Sequence, residues 1–170
     1  MLGFAAWSGA GKTTLLKEVV SLLTERGLRV AMVKHAHHNF DIDTPGKDSY
    51  ELRRAGASQV LVASARREAL MIEKPEAGEP DLDQLLARLD QDRVDLVLVE
   101  GFKNVPFPKI EIFRDAVGKP AIYPGYEAVI AVATDGALPV PTDLPLLDIN
   151  DPESVTTFIC NFARTGDQVE

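Results

Sequence analysis

Cysteine is almost absent. Cys160 stands alone in 170 residues, so no internal disulfide can form, as suits a reducing compartment. No apolar run approaches the roughly 18 to 20 residues of a membrane span. The opening Met1-Leu2-Gly3-Phe4 lacks the charged region and cleavage site of a signal peptide. A cytoplasmic protein with no membrane partner is therefore expected. Positive charge is scarce too: 18 Lys and Arg against 26 Asp and Glu leave a net charge of -8, without the broad basic surface that phosphate backbones require. Nucleic acid is not an expected partner. Internal repeats and low-complexity tracts are also missing. The loops at 75–80 and 136–145 are rich in Pro and Gly but too short to be linkers, so residues 1–170, 45% hydrophobic, read as one domain.

Short apolar runs recur at Leu2 to Ala6, Val30 to Val33, Val60 to Ala63, Val94 to Val99, Ile110 to Phe113 and Val129 to Ala133. Several are apolar throughout, the pattern of strands covered on both faces. Helical patterns lie between them. Residues 12 to 26 place Leu15, Leu16, Val19, Val20, Leu22 and Leu23 on one stripe and end at Gly27, a glycine cap. Asp81 to Leu89 predicts a second helix, and residues 152 to 163, opening with Pro152 after Asp151, a third. Residues 58–64 and 68–73 are separated by only Ala65-Arg66-Arg67, too close for a helical crossover, and predict an antiparallel hairpin attached to the sheet. The expected class is α/β: a three-layer αβα fold with a mainly parallel central sheet and an attached β-hairpin.

The chemistry begins at Ala6-Trp7-Ser8-Gly9-Ala10-Gly11-Lys12-Thr13-Thr14, which matches the phosphate-loop pattern G-x-x-x-x-G-K-[ST] except that Ala6 replaces the first glycine. Alanine serves there wherever φ is negative. A strand precedes this loop and the clearest helix of the chain follows it, so backbone N–H groups and the positive end of a helix dipole converge on one anion site. Ser8, Gly9, Ala10, Gly11, Lys12, Thr13 and Thr14 are the candidate nucleotide-binding residues. Lys12 is expected on the β and γ phosphates and the Thr13 hydroxyl on Mg²⁺. A turn that merely joins strand to helix is the bland alternative, and the flanking elements weigh against it.

A second carboxylate feature suits a metal-bound nucleotide. Glu100 ends Val94-Asp95-Leu96-Val97-Leu98-Val99, the most hydrophobic run of the chain, where it is expected to hold Mg²⁺ through water beside Thr13. Its bland alternative is a carboxylate that caps a loop. All three histidines lie in Lys34 to Ser49. That segment reads as a polar surface loop, as a zinc site at His35, His37 and His38, or as a switch-type loop at the γ-phosphate. Zinc lacks an obvious fourth ligand, which favours the switch. There Asp41 and Asp43 would orient water or Mg²⁺ ligands, as catalytic candidates with Glu100, and Lys47 would seek phosphate. The Asn-Lys-x-Asp sequence that reads guanine is missing. Asp135, after Thr134, and the carboxylates of Asp148-Ile149-Asn150-Asp151 are the candidates for a base edge.

Taken together, Phe4 to Leu16, the His-rich loop through Pro45-Gly46-Lys47-Asp48-Ser49-Tyr50-Glu51-Leu52-Arg53, Ala55-Gly56-Ala57, Asp95-Leu96-Val97-Leu98-Val99-Glu100-Gly101-Phe102-Lys103 and Leu147 to Asp151 resemble one family. It is that of the molybdopterin-guanine dinucleotide biosynthesis adapter proteins, MobB, and the likeness covers residues 4 to 151. The resemblance implies a P-loop protein that binds GTP with Mg²⁺ and hydrolyses it slowly. It also implies a homodimer, and as partner the MobA-type molybdenum cofactor guanylyltransferase that attaches GMP to molybdopterin. Two rival functions differ from this in class. A P-loop kinase of a small metabolite would need an acceptor pocket and an arginine-bearing lid, for which Arg53, Arg54, Arg66 and Arg67 are candidates but form no obvious cluster. A module that holds nucleotide without turnover is the other.

Overall fold

A computed structural model describes residues 1–36, 40–76 and 78–166. In chain order the elements are β1 (Leu2–Ala6), α1 (Lys12–Glu25), β2 (Val30–Lys34), α2 (Asp48–Arg54), β3 (Gln59–Ala63), β4 (Glu68–Ile72), α3 (Leu82–Leu86), β5 (Leu96–Glu100), β6 (Lys109–Phe113), β7 (Val129–Thr134), β8 (Leu146–Asp148) and α4 (Pro152–Gly166). They fall into two compact units, Met1–His35 with Asp81–Glu170, and Ala36–Pro80. Among the described residues, no helix is long and apolar enough to cross a membrane.

The first unit is built on a six-stranded, wholly parallel sheet in the order β2-β5-β1-β6-β7-β8. Its strands are apolar at consecutive positions because both faces are covered. In β5, Leu96 and Leu98 join the cluster packed by Leu15, Leu16, Val19 and Leu23 of α1 and by Val155 and Ile159 of α4. Val97 and Val99 turn to the opposite face, with Val33, Leu82 of α3, Phe102 and Phe107. Beyond them, Phe113, Tyr123, Val129 and Val132 form a third cluster. The chain leaves β1 toward β2 and β5 on one side and continues to β6 on the other. The carboxyl end of β1 is therefore the point where strand order reverses, where ligands sit in such sheets.

Most expected elements are present within a residue or two. The Asp81 to Leu89 pattern yields only Leu82–Leu86. Asp81 caps its start by accepting from Asp83 N–H (2.9 Å) and Gln84 N–H (3.2 Å). Its last turn tightens as Arg88 N–H and Leu89 N–H donate to Leu85 and Leu86, while the Gln91 amide takes Leu86 O at 2.8 Å and draws the chain away. β8 had no clear sequence signal, since three residues are too few to show a period. It forms because its backbone pairs with β7.

The second unit holds α2 and the hairpin β3-β4, paired antiparallel from Gln59↔Ile72 to Ala63↔Glu68. The Ser64 hydroxyl closes its turn by accepting from Arg66 and Arg67 N–H. The hairpin is a sheet of its own and, among the described residues, is not hydrogen-bonded into the six-stranded one. Its strands are not covered on both faces as their apolar composition suggested: Leu61 is 63% exposed and Leu70 53%.

Candidate functional site

The loop after β1 curls because two of its residues take left-handed backbone. Gly9 has φ 88° and Gly11 φ 86°, angles that side chains rarely tolerate. Gly11 is the N-cap of α1, and no side chain caps that helix start. A helix start whose N–H groups keep no side-chain acceptor is a fitting seat for an anion. Ala10 is buried, while Ser8, Gly9, Thr13 and Thr14 lie at the surface.

Lys12 does not point into solvent. Its ammonium donates to Glu100 Oε1, and Lys34 Nζ lies 3.5 Å from Glu100 Oε2. The register explains the meeting. Lys34 and Glu100 are partners at the ends of β2 and β5, and β5 adjoins β1. Two expected site residues, distant in sequence, are thus brought into one ion pair at the carboxyl edge. The Glu100 side chain is only 13% exposed, which strengthens the pair relative to one in open solvent. After Glu100 the chain turns sharply through Gly101 (φ 91°) and Phe102 (φ 53°). The Phe102 ring lies 5.0 Å from that of His35, and the His35 backbone N–H donates to the Glu100 backbone O at 2.9 Å. Lys103 follows, its ammonium 4.7 Å over the indole of Trp7, and Trp7 Nε1 donates to Pro120 O at 2.8 Å.

At the other end of the phosphate loop stands a residue the sequence did not single out. Arg114, first after β6, donates from Nε to Ala10 O (3.2 Å), from Nη1 to Asp135 Oδ2 (2.6 Å) and from Nη2 to Asn150 Oδ1 (3.4 Å). Its one sequence signal is its place at a strand's carboxyl end. Asp135 is thus brought to the site through Arg114. Beside it, Gly11, Thr14, Leu15, Glu18, Arg114, Ile149, Asn150 and Pro152 line an open cleft of about 260 Å³.

Asp41, Asp43 and Lys47 belong to the second unit. Asp41 Oδ2 pairs with Arg53 Nη2 at 2.5 Å, and this hydrogen bond holds its carboxyl below the usual range. Asp43 Oδ1 accepts from Thr44 N–H (3.0 Å) and Ser49 Oγ (2.9 Å). Arg53 also reaches Glu73 at 2.9 Å, so one guanidinium organises this loop. Lys47 is the N-cap residue of α2. His37 and His38 lie outside the described residues, and among those described no group of three or more His, Cys, Asp or Glu is placed to hold a metal.

Comparison with known proteins points one way. The family model described as "Molybdopterin guanine dinucleotide synthesis protein B" matches residues 1–135. The molybdopterin-guanine dinucleotide biosynthesis adapter protein of Escherichia coli strain K12 is 52% identical over 165 residues, covering 96% of this chain and 93% of that protein. The corresponding protein of Haemophilus influenzae is 44% identical over 162 residues, with 95% and 88% covered. The crystal structure of a MobB homolog from Bacillus stearothermophilus superposes with a TM-score of 0.72 at 26% identity, covering 96% of this chain and 97% of that one. With its phosphate loop, its Lys12–Glu100 pair and these likenesses along almost its full length, the chain belongs to the MobB family of molybdopterin-guanine dinucleotide biosynthesis proteins.

Proposed function

We propose that this protein is a cytoplasmic adapter that binds Mg·GTP at the Ser8–Thr14 loop, hydrolyses it slowly, and assists the MobA-type guanylyltransferase that joins GMP to molybdopterin. The observation that carries the nucleotide reading is the Lys12–Glu100 pair beside a loop whose glycines take left-handed backbone. Before nucleotide enters, Glu100 serves as counter-ion for Lys12 and Lys34. A triphosphate brings more negative charge than one carboxylate and draws Lys12 away, releasing Glu100. The residues fit Mg²⁺, a hard cation that prefers oxygen: the Thr13 hydroxyl is exposed, and Glu100 supplies a carboxylate for a metal-bound water. When bound, the ion would neutralise phosphate charge. Slow hydrolysis is consistent with Arg114, which spends its donors on Ala10, Asp135 and Asn150. Homodimerisation belongs to the same reading, supported by the exposed Leu61, Val62 and Leu70 of the hairpin. Asp41, Asp43 and Lys47 are proposed as the switch that senses the γ-phosphate.

Calorimetry with Mg·GTP tests the site. Lys12→Ala is expected to abolish measurable binding while leaving the fold intact. Glu100→Gln should keep binding while weakening its dependence on Mg²⁺. A Lys12→Ala protein that binds Mg·GTP like the parent would refute the assignment.

A further inference from the structure

The hydrogen-bond ladder of α1 begins at Gly11, whose carbonyl accepts from Leu15 N–H at 3.1 Å. The carbonyl before it is left out. Ala10 is 2% exposed, and among the described residues no backbone N–H donates to its oxygen, so by itself that group would be buried and unsatisfied. Arg114 supplies the donor: its Nε reaches Ala10 O at 3.2 Å from the carboxyl end of β6. The guanidinium is pinned in turn by Asp135 Oδ2 at 2.6 Å and Asn150 Oδ1 at 3.4 Å, and a Cβ on Gly11 would lie 3.5 Å from its Nε. One cation thus ties the phosphate loop to the loops after β7 and β8.

What this bond fixes is a peptide plane. The Ala10–Gly11 peptide is trans, so its C=O and N–H point in opposite directions. A carbonyl held by Arg114 therefore turns the Gly11 N–H away from the guanidinium, and among the described residues that N–H donates to no acceptor. Gly11 is also where the plane could most easily turn over: with φ 86° and no Cβ, it tolerates either sign of φ. A flipped plane would present a carbonyl oxygen where an anion needs a donor. Accepting from a cation also polarises the peptide and strengthens its N–H as a donor. Arg114 needs no contact with the ligand for any of this.

We propose that Arg114 is a positioning residue of the phosphate site: by holding the Ala10 carbonyl, it locks the Ala10–Gly11 peptide with its N–H presented to the bound phosphates. This rests on the nucleotide-binding reading above. The test measures affinities of the full chain for Mg·GTP and for Mg²⁺-tripolyphosphate, which has no base, in the parent, Arg114→Gln, Arg114→Lys and Asp135→Ala. Thermal melts report folding. In Arg114→Gln both affinities should fall about tenfold or more while their ratio holds, the range of one charge-assisted hydrogen bond to a buried group. Arg114→Lys, which keeps the charge without the fork, should recover only part of the loss. Asp135→Ala separates position from charge: it removes a negative neighbour, so charge alone would tighten tripolyphosphate binding, whereas a loosened Arg114 weakens it. At saturating tripolyphosphate the Gly11 amide resonance should move downfield in the parent and less in Arg114→Gln, a difference that lowered stability alone would not make. Should Arg114→Gln not fold, Arg114→Lys and Asp135→Ala carry the same comparison. Unchanged affinities in Arg114→Gln, full recovery in Arg114→Lys, binding by Asp135→Ala as tight as the parent's or tighter, or an equal Gly11 shift would each overturn the proposal. So would a loss confined to GTP, or a parent that binds GTP but not tripolyphosphate, both of which spare the nucleotide reading. A parent that binds neither ligand would overturn that reading and this inference with it.

Discussion

Lys109 carries a charge where hardly any is tolerated. It is fully buried at the head of β6, its ammonium donating to Val105 O (2.5 Å), Phe107 O (3.2 Å) and Tyr126 Oη (3.1 Å) and lying 3.5 Å over the Phe107 ring. Burial lowers its pKa from 10.5 to about 8. Between those values the unfolded chain binds more protons than the folded one, so stability rises with pH across that window, whereas below about pH 8 both states are protonated and the contribution is flat. Burial raises the Tyr126 phenol, whose contribution is lost as pH climbs above its ordinary value of 10.0, so the two effects oppose at the top of the range. Denaturant titrations between about pH 8 and 9.5 should show unfolding free energy climbing in the parent, with the slope flattened in Lys109→Met. Equal slopes would place the Lys109 proton elsewhere. Nothing in the residue's neighbours along the chain announced this. Ile110 to Phe113 read as the strand, and only packing against residues 105 to 126 shows that Lys109 starts it from inside.

Among the elements, the turn after β5 is tightly constrained. Gly101 takes φ 91°, and a Cβ there would come within 2.7 Å of His35 Cβ, because β2 ends directly beside β5. Gly101→Ala meets both the clash and the backbone penalty, and should destabilise by about 1–3 kcal/mol while displacing Glu100 from Lys12. Gly136→Ala, at a position with open space and no left-handed backbone, should stay within about 0.5 kcal/mol of the parent. Chemical denaturation of the two variants checks the contrast, and a Gly101→Ala protein as stable as Gly136→Ala would contradict it. Elements with a long period were legible: Leu15, Leu16, Val19 and Leu23 announce α1, and the Leu96 to Val99 run announces β5. Elements made by partners were not. β8 exists through its pairing with β7, α2 is a short helix with no buried residue, and β3 and β4, though apolar, have no buried residue either.

At the scale of the whole molecule, the phosphate loop belongs to one unit and the segment proposed to sense it to the other. If residues 40–48 are a switch, hydrogen exchange there should slow with a non-hydrolysable GTP analogue relative to GDP and to no nucleotide, while the exchange of β5 and β7 stays unchanged. Equal protection in all three states would show that Asp41, Asp43 and Lys47 do not sense the γ-phosphate. The phosphate loop, its strand and helix, the parallel α/β class and the likeness to MobB are legible along the chain, because each of these is written in residues that are neighbours or recur at a fixed period. Folding is what brings Lys12 and Lys34 together on Glu100, and Arg114 to Ala10, Asp135 and Asn150. Such pairings depend on strand order and register. In a parallel sheet these are set by which faces must be buried across tens of residues, and no local pattern records them.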